Sequence, residues 1–254
     1  MADLAKAAAQ AQPTAFHQLL MALSFCRILG RTYTQNIDGL ELKAGLTTVG
    51  DKPNCVQLHG SVMEVRCTQC NFTEHAHHHF SALSSGQLPP CPRCEVWIES
   101  RKSKGKRIGP KGGLLRPSII LYGESHPKSE DIESMQFADR LKADNLLVVG
   151  TSLQTYGSVR LIKELSRDIR SRGGKAYYVN LTSPPVQHVK CFDYILRSDC
   201  QDLAHRALDR LKMAELAGSI TVDCDGRMGG FADFADLVNR SKVRKDMRPS
   251  WDWA

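Results

Sequence analysis

Two pairs of cysteines have the spacing of a metal site. They are Cys67 with Cys70 and Cys91 with Cys94, and twenty residues separate the two pairs. Two cysteine hairpins with this spacing can meet around one tetrahedral Zn²⁺ ion. Four thiolates occupy all coordination positions of such an ion and leave none for water or substrate, so the predicted site is structural. The alternative is four free thiols whose spacing is accidental.

The other residues that could do chemistry belong to two short motifs. Arg31 to Asn36 has the composition of a strand and is followed by a polar stop at Asp38-Gly39. The second motif is Gln57-Leu58-His59-Gly60. An imidazole is suited to proton transfer because its unperturbed pKa lies near physiological pH. Taken alone both motifs are weak. Asn36-Ile37-Asp38 has the pattern Asn-x-Asp, which is commonest in turns, and a lone histidine such as His59 is more often structural than catalytic.

Helices and strands are predicted on both sides of these motifs. Apolar residues recur at helical spacing from Thr14 to Leu29, and Pro13 stands where a first helical turn tolerates proline. The order predicted further along is strand Ser118 to Tyr122, helix Asp131 to Lys142, strand Asn145 to Val149, helix Val159 to Arg172, strand Ala176 to Val179 and helix Phe231 to Asn239. Such alternation predicts an α/β fold with a parallel, doubly wound sheet. Ligands bind such sheets at the carboxyl ends of the strands, where this sequence places Gly123-Glu124, Gly150-Thr151-Ser152 and Asn180-Leu181-Thr182.

The cysteine pairs lie in a segment of different character. It contains few large apolar residues, so it is predicted to be a small module that depends on its metal. The basic, Gly-rich stretch that follows is predicted to be an exposed loop. The predicted divisions are 13–61 with 114–212 for the α/β domain, 62–98 for the zinc module, 99–113 for the basic loop and 213–254 for a C-terminal extension.

The composition excludes several classes of protein. Of 254 residues, 42% are hydrophobic and 24% charged, as in ordinary soluble proteins. No apolar run approaches the roughly 18 residues of a membrane helix, and the start has no secretion-signal pattern, so we expect the protein to stay inside the cell. Nine cysteines, an odd number, favour metal over disulfides. The formal charge of +7 favours an acidic partner or a nuclear address.

Taken together, the motifs resemble those of the sirtuins, a family of NAD-dependent protein deacylases. In family order they are Thr34-Gln35-Asn36-Ile37-Asp38, Leu58-His59-Gly60, the two C-x-x-C pairs, Leu115-Arg116-Pro117 leading to Tyr122-Gly123-Glu124, and Gly150-Thr151-Ser152-Leu153. The similarity covers about residues 13 to 210 and includes Pro13-Thr14-x-x-His17. It implies a Rossmann-like NAD-binding domain with an inserted zinc module.

The resemblance implies transfer of an acyl group from a protein lysine to ADP-ribose, with release of nicotinamide. His59 matches the general base of the family and Asn36 a second catalytic residue. Gln35 and Asn36 match positions that hold the ribose, and Asp38 matches the partner of the nicotinamide carboxamide. The cofactor-binding residues implied in this way are Gln35, Asn36, Ile37, Asp38, Gly150, Thr151, Ser152, Asn180, Leu181, Thr182 and Cys200.

The resemblance also implies a peptide-binding strand. The run from Ser118 to Gly123 is similar to the strand that pairs with the acyl-lysine peptide by β-strand addition. A strand that belongs only to the interior of the sheet is the alternative.

The sequence departs from the family at its start. It contains neither the Gly-rich loop of the type G-A-G-I-S nor the P-D-F-R segment. Main-chain amides of such a loop cradle the pyrophosphate of the cofactor, so we expect an N-terminally incomplete sirtuin that binds NAD poorly by itself. The alternative is a catalytically impaired remnant that acts as a zinc-stapled chromatin-binding module. A nucleic-acid-binding zinc ribbon is a weaker interpretation, because the module has no basic recognition helix.

Two further features are similar to the fungal, nuclear, histone-directed members of the family. One is Tyr156-Gly157, where many members have a proline, and the other is the basic insertion after the cysteines. The subgroup implies an acetylated protein lysine as substrate, in particular on a histone, and association with chromatin rather than with a membrane. It implies the nucleus as location, with the cytoplasm as second choice.

Overall fold

A computed structural model describes residues 1–50, 52–107, 112–216, 221–222 and 228–229 of the chain. The α-helices are α1 Ala2–Gln10, α2 Ala15–Phe25, α3 Leu40–Lys43, α4 Phe80–Ser84, α5 Pro92–Ser103, α6 Ser129–Lys142, α7 Tyr156–Ser171 and α8 Cys200–Leu216, and 3₁₀-helices cover Ala76–His79 and Val186–Cys191. The strands are β1 Thr32–Thr34, β2 Cys55–Gln57, β3 Gly60–Cys67, β4 Thr73–His75, β5 Leu115–Ile119, β6 Asn145–Val149, β7 Lys175–Asn180, β8 Tyr194–Arg197, β9 Thr221–Val222 and β10 Met228–Gly229.

The chain divides into two compact units. Unit 1 comprises Met1–Pro13 and Arg31–Ile132, and unit 2 comprises Thr14–Gly30 and Glu133–Ala254. Unit 1 contains the parallel pair β1-β2 and an antiparallel sheet in the order β4-β3-β5. Unit 2 contains a parallel sheet in the order β6-β7-β8 and the antiparallel pair β9-β10. The predicted α/β class with parallel strands is confirmed, while the finer domain boundaries stay a prediction.

Helix α1 was not anticipated by the sequence analysis. Its alanines favour a helix, but they give no stripe of large apolar side chains for a periodicity argument to detect. Ala5 and Ala8 pack on Val62 of β3 in unit 1. The Lys43 ammonium donates hydrogen bonds to the main-chain oxygens of Ala9, at 2.9 Å, and Ala11, at 2.5 Å, and so caps the last carbonyls of the helix.

The parallel sheet of unit 2 follows the predicted alternation closely. Strand β6 has the predicted bounds, and β7 is central, with Ala176, Tyr177, Tyr178 and Val179 all buried. Helix α7 packs on β6 and β7 through an apolar face that repeats every three or four residues. These elements set the carboxyl edge of the sheet, where the candidate ligand residues lie.

Helix α2 shows why Pro13-Thr14-x-x-His17 begins a helix. The helix starts after Thr14, whose main-chain N–H donates to Nδ1 of His17 at 3.2 Å. The Thr14 hydroxyl lies 2.8 Å from the same nitrogen. His17 thus takes the place of the acidic residue in a capping box. Farther along, Leu19 and Leu23 pack against Ala204 and Ala207 of α8.

Two predictions are wrong in part. The predicted parallel strand Ser118 to Tyr122 is β5, Leu115–Ile119, and it pairs antiparallel with β3. A short apolar run does not reveal its pairing partner, which explains the error. The predicted loop Glu99 to Gly113 begins as helix, because α5 continues to Ser103.

Contacts between neighbouring turns explain the helical start of the basic segment. The guanidinium of Arg101 lies 4.9 Å from the centre of the Trp97 ring, and Lys102 pairs with Glu99 at 3.6 Å. Such contacts at spacings of three and four residues stabilise a helix. Residues 108–111 of this segment, the predicted helix Phe231 to Asn239 and much of the extension 213–254 lie outside the described residues. None of the helices within the described residues has the length and hydropathy needed to span a bilayer.

Candidate active site and metal centre

The parallel pair β1-β2 brings the first two motifs together. Thr34 pairs with Gln57, so the residues that follow each strand emerge at the same edge. The Leu58 N–H donates to the Thr34 oxygen at 2.9 Å and continues the pairing. Beyond it, Nδ1 of His59 lies 3.1 Å from the main-chain oxygen of Gln35. The His59 ring and the main chain of Gln35 therefore lie together in unit 1.

This contact defines which nitrogen of His59 can react. A carbonyl oxygen only accepts hydrogen bonds, so Nδ1 carries the proton in this arrangement and Nε2 keeps its lone pair. The His59 ring is partly buried. Its main-chain oxygen accepts a hydrogen bond from the Ile120 N–H at 3.0 Å, which ties the residue to the end of β5. In the neutral ring, Nε2 is thus the nitrogen that can accept a proton.

Gly60 explains the glycine of the second motif. Its φ is +74°, in the left-handed region. A Cβ at this position would also collide with the main-chain oxygen of Ser118. Only glycine combines this turn with the close approach of β3 to β5, and the turn sets the direction in which His59 leaves the strand.

The segment between β1 and α3 holds the amide and carboxylate side chains. Asn36 is exposed, and its N–H donates to the Thr34 hydroxyl at 3.1 Å. Ile37 packs in the cluster formed by α1 and β3, and its oxygen accepts from the Val62 N–H at 2.8 Å. One carboxylate oxygen of Asp38 accepts a hydrogen bond from the N–H of Leu40, the first residue of α3, at 3.0 Å. Ile37 thus contributes by packing, whereas the side-chain amide of Asn36 is exposed to solvent.

Sequence reasoning missed the ion-pair network after β5. The carboxylate of Glu124 accepts two hydrogen bonds from Arg116, at 2.6 and 2.5 Å, one from Arg66 at 3.1 Å and one from the Leu121 N–H at 3.2 Å. The hydrogen bonds from Arg116 are the main reason why the pKa of Glu124 falls to about 2. The sequence carried no local signal for it, because Arg66 and Arg116 become neighbours only through the pairing of β3 with β5. The network fixes the turn that carries the exposed Tyr122.

His126 was also missed, because a lone histidine in a polar segment carries no pattern. Its Nδ1 accepts a hydrogen bond from the Lys128 N–H at 3.0 Å. Burial is the largest cause of the lowered pKa of the His126 ring.

The four predicted metal ligands converge within unit 1. Their Sγ atoms all lie within 4.8 Å of one another, with Cys67 and Cys94 at 3.7 Å and Cys70 and Cys91 at 3.6 Å. Tetrahedral zinc with Zn–S bonds of about 2.3 Å requires sulfurs about 3.8 Å apart. The donor set and its spacing therefore fit Zn²⁺, and Cys67, Cys91 and Cys94 are buried.

The surroundings of the thiols differ. Burial raises the pKa of Cys67, but hydrogen bonds from the main-chain amides of Gln69 and Cys70 outweigh it and bring the pKa to about 7. Burial raises the pKa of Cys91 to about 12. A bound dication would hold all four groups as thiolates, since metal coordination deprotonates a thiol.

Gly113 is a further residue of the metal centre that the sequence analysis did not identify. A Cβ at this position would collide with Sγ of Cys67. The Gly113 oxygen also accepts from the Cys91 N–H at 2.9 Å. The chain after the basic segment thus returns to pack directly on the cysteines. The cluster around the cysteines includes Val65 and Leu115, with Phe72 and Phe80 packed against it.

The remaining candidate residues lie at the carboxyl edge of the parallel sheet of unit 2. The buried Tyr178 hydroxyl donates to the main-chain oxygen of Thr151 at 2.7 Å and accepts from the Asn180 amide at 2.8 Å. Asn180 also donates to the Thr182 hydroxyl at 3.2 Å. Ser152 and Leu181 are exposed beside this network. The polar residues after β6 and β7 therefore meet as predicted from the strand order.

Two backbone features shape this edge. Gly150 has a φ of +63°, and its N–H donates to the Val179 oxygen at 3.0 Å, so the chain turns sharply after β6. Leu153 has a φ of +56° and is buried.

Cys200 begins α8 after β8. Burial, and to a smaller extent the nearby charge of Asp199, raise the pKa of its thiol. The Cys200 thiol is therefore held protonated.

Known proteins share both the sequence and the fold. The Sir2 family matches residues 2–157. The chain is 39% identical over 211 residues to the NAD-dependent histone deacetylase HST3 of Saccharomyces cerevisiae, covering 76% of this chain and 47% of that protein. It is 36% identical over 220 residues to the NAD-dependent protein deacetylase hst4 of Emericella nidulans, covering 81% of this chain and 36% of that protein. The chain thus spans about half or less of the length of these relatives.

A solved structure of a relative has the same arrangement of elements. The complex described as "Sir2-p53 peptide-NAD+" superposes with a TM-score of 0.61 at 26% identity, over 80% of this chain and 72% of that one. The Rossmann-like fold predicted from the sequence is confirmed by this likeness. With the motifs, the four-cysteine cluster and the match over 2–157 taken together, the chain belongs to the Sir2 family.

Proposed function

We propose that this chain carries out NAD-dependent removal of acetyl groups from protein lysines. The observation that supports this most directly is the 3.1 Å contact between His59 Nδ1 and the Gln35 oxygen in a member of the Sir2 family. It leaves Nε2 as the only ring nitrogen able to take a proton. NAD, when bound, supplies the activated ribose carbon that accepts the acyl group.

The residues of unit 1 would orient the ribose of NAD and remove a proton from one of its hydroxyls. His59 Nε2 takes a proton from a ribose hydroxyl and acts as general base. Gln35 and Asn36 hold the ribose beside it, and the exposed amide of Asn36 is suited to this contact. The second oxygen of the Asp38 carboxylate would accept a hydrogen bond from the nicotinamide amide, while the first accepts one from the Leu40 N–H. Ile37 contributes by packing, because it anchors the segment on β3.

The residues of unit 2 would contact phosphate, ribose and adenine groups of NAD. Thr151 and Ser152 offer hydroxyls at a glycine turn, a common setting for phosphate and ribose contacts. Asn180, Leu181 and Thr182 follow the next strand and would contact the adenosine ribose. Gly150 allows the backbone to turn, and Cys200 would act through its main chain. The hydrogen bonds of the Tyr178 hydroxyl with Thr151 and Asn180 support this assignment, because they hold this edge of the sheet in place before a ligand binds.

The proposed substrate is an acetylated histone lysine, and the proposed location is the nucleus, with association to chromatin. The similarity to histone deacetylase HST3 supports this choice. The peptide would pair along 118–123, beside the end of β5, where the Glu124 network fixes the chain and Tyr122 is exposed.

An acetylated histone H3 peptide incubated with and without NAD tests the activity. We expect free lysine and an acetylated ADP-ribose only when NAD is present. Because the 254 residues contain no G-A-G-I-S type loop, we expect weak binding of NAD, with a Kd well above the micromolar range. Calorimetric titration measures this, and micromolar affinity would contradict the expectation. Absence of product at saturating NAD would favour the non-catalytic, chromatin-binding role instead.

A further inference from the structure

Helix α5 is packed on the rest of unit 1 along one side. Of its twelve residues, Cys94 is buried as a metal ligand, Ile98 and Arg101 are half-buried, and the other nine are exposed. Cys94 and Ile98 both face Gly112, where the chain returns to the cysteines. The exposed residues include Trp97, whose exposed fraction is 53%. A helix that buries so little and presents a tryptophan has the character of an interaction surface.

The charged side chains of α5 are divided between two sides of the helix. Side chains spaced three or four residues apart share one side of a helix. Four of them form a set that we call the basic stripe, namely Arg93, Trp97, Arg101 and Lys104. The basic stripe thus carries three cations and no carboxylate. Glu95 and Glu99 lie on the opposite side together with Lys102, which pairs with Glu99 at 3.6 Å.

Arg101 is held in place within the basic stripe. Its guanidinium lies 4.9 Å from the centre of the Trp97 ring, and its Nε and Nη2 donate to the main-chain oxygen of Arg107 at 3.0 and 2.9 Å. Because these contacts fix one cation before a ligand binds, less side-chain entropy is lost on binding. Arg93 and Lys104 are exposed on either side of it.

The spacing and charge of the basic stripe fit the phosphates of duplex DNA. Arg93 and Arg101 are about 12 Å apart along the helix axis, and each DNA strand presents one phosphate per about 3.4 Å. Guanidinium groups bind phosphate oxygens through paired N–H donors, and the indole N–H of Trp97 is a further donor. Inside a groove, Glu95 and Glu99 would face the phosphates of the second wall. The helix should therefore lie along one phosphate backbone and read no base sequence.

We propose that the basic stripe of α5 binds the sugar-phosphate backbone of duplex DNA, independently of base sequence. The sequence analysis expected no basic helix in the zinc module, and α5 supplies one. The inference goes beyond the proposed reaction, since it depends on neither NAD nor His59. It rests on the proposed association with chromatin only for its biological setting. DNA binding is measured without NAD or peptide, so a negative result would leave the proposed deacetylation standing.

Fluorescence anisotropy with the zinc-loaded 254-residue chain and a labelled duplex of about 20 base pairs tests the proposal. We expect a Kd of roughly 1 to 100 µM near physiological salt, equal for unrelated sequences, and a slope of log affinity against log salt of about −3. Arg93→Gln and Lys104→Gln should each reduce this slope by about one. Lys102→Gln, on the opposite side of the same helix, is the matched control and should leave the slope unchanged. The zinc content of each variant shows that the module is folded.

The emission of Trp97 shows whether the contact is made at the basic stripe. With Trp251→Phe and Trp253→Phe in place, Trp97 is the only tryptophan of the chain, and DNA should quench its emission. Absence of binding at low salt, binding without a change in this emission, or an equal loss of slope in the Lys102 variant would each overturn the proposal.

A polyglutamate of the same total charge distinguishes DNA from an acidic protein as the partner. Its charges are farther apart than those of a duplex, which carries one charge per about 1.7 Å, so we expect it to bind at least roughly tenfold more weakly. Equal or tighter binding of polyglutamate would assign the basic stripe to an acidic protein surface and overturn the proposal.

Discussion

Nδ1 of His59 bonds the main chain of Gln35 rather than its side chain, over 3.1 Å. The proton on the ring is therefore fixed by the fold of the strand ends and not by the identity of residue 35. Side-chain substitutions at the two positions should consequently have separate effects, one on proton transfer and the other on cofactor binding.

His59→Tyr should remove the general base. We expect NAD-dependent deacetylation to fall by at least about a hundredfold, in the range of lost acid–base catalysis, while zinc content stays unchanged. Product formation with an acetylated peptide measures the rate, and atomic absorption measures the metal. His77→Tyr is the control and should retain full activity. Near-normal activity of the His59 variant would remove this residue from its assigned role.

Gln35→Ala should leave the His59 ring undisturbed. The partner of the ring is a main-chain oxygen, which alanine retains. We expect KM for NAD to rise severalfold while the nitrogen chemical shifts of the His59 imidazole stay as in the wild type. A change of tautomer in the NMR spectrum of the variant would show that the side chain, and not the backbone, controls the ring.

Glu124→Gln should make stability less dependent on pH. The pKa of Glu124 falls from 4.5 to about 2 on folding, so its contribution to stability is complete above 4.5 and is lost as the pH falls towards 2. The difference in free energy of unfolding between wild type and variant should therefore shrink between pH 6 and pH 3. Denaturant titrations measure it. The exposed Glu99, substituted to Gln, should give no such trend, and a constant difference for Glu124 would argue against the network.

Cys91→Ser should release the metal and destabilise unit 1. Structural zinc contributes on the order of 10 kcal/mol to isolated fingers, and loss of one thiolate leaves an incomplete site. We expect less than one zinc per chain and a lowered Tm. Cys26→Ser, outside the cluster, should keep both values. A Cys91 variant with unchanged zinc and Tm would mean that the ligands are misassigned.

Gly113→Ala tests the packing of the chain on the cysteines. The added methyl group would collide with Sγ of Cys67, so we expect weaker zinc binding and a lower Tm although no ligand is changed. Gly157→Ala is the matched control. Gly157 is the second residue of α7, and a Cβ there would meet open space, so alanine should not lower stability. Equal behaviour of the two variants would exclude the proposed contact.

The sequence predicted the elements whose signals are local. Strand β6 has the predicted bounds, α7 and β7 are close to theirs, and the four cysteines meet at the spacing that zinc requires. Apolar periodicity and ligand spacing are properties of a few neighbouring residues, so a single sequence reveals them.

Features that depend on distant partners were not predictable in the same way. The antiparallel pairing of β5 with β3 and the clustering of Arg66 and Arg116 on Glu124 both join residues far apart in sequence. Local patterns say which side chains can pair but not which partner the fold supplies. The alanine face of α1 was missed for a related reason, because small side chains pack well without forming an apolar stripe.

Strand β3 starts at Gly60, directly after His59, and ends at Cys67, a thiolate ligand. A single strand, seven residue steps long, thus connects a metal ligand to the residue that follows the proposed base. Demetallated protein should accordingly imitate a catalytic variant. Measurements of the proposed activity would then be comparable only when expressed per mole of bound zinc, and chelators in a purification buffer would act as slow inhibitors.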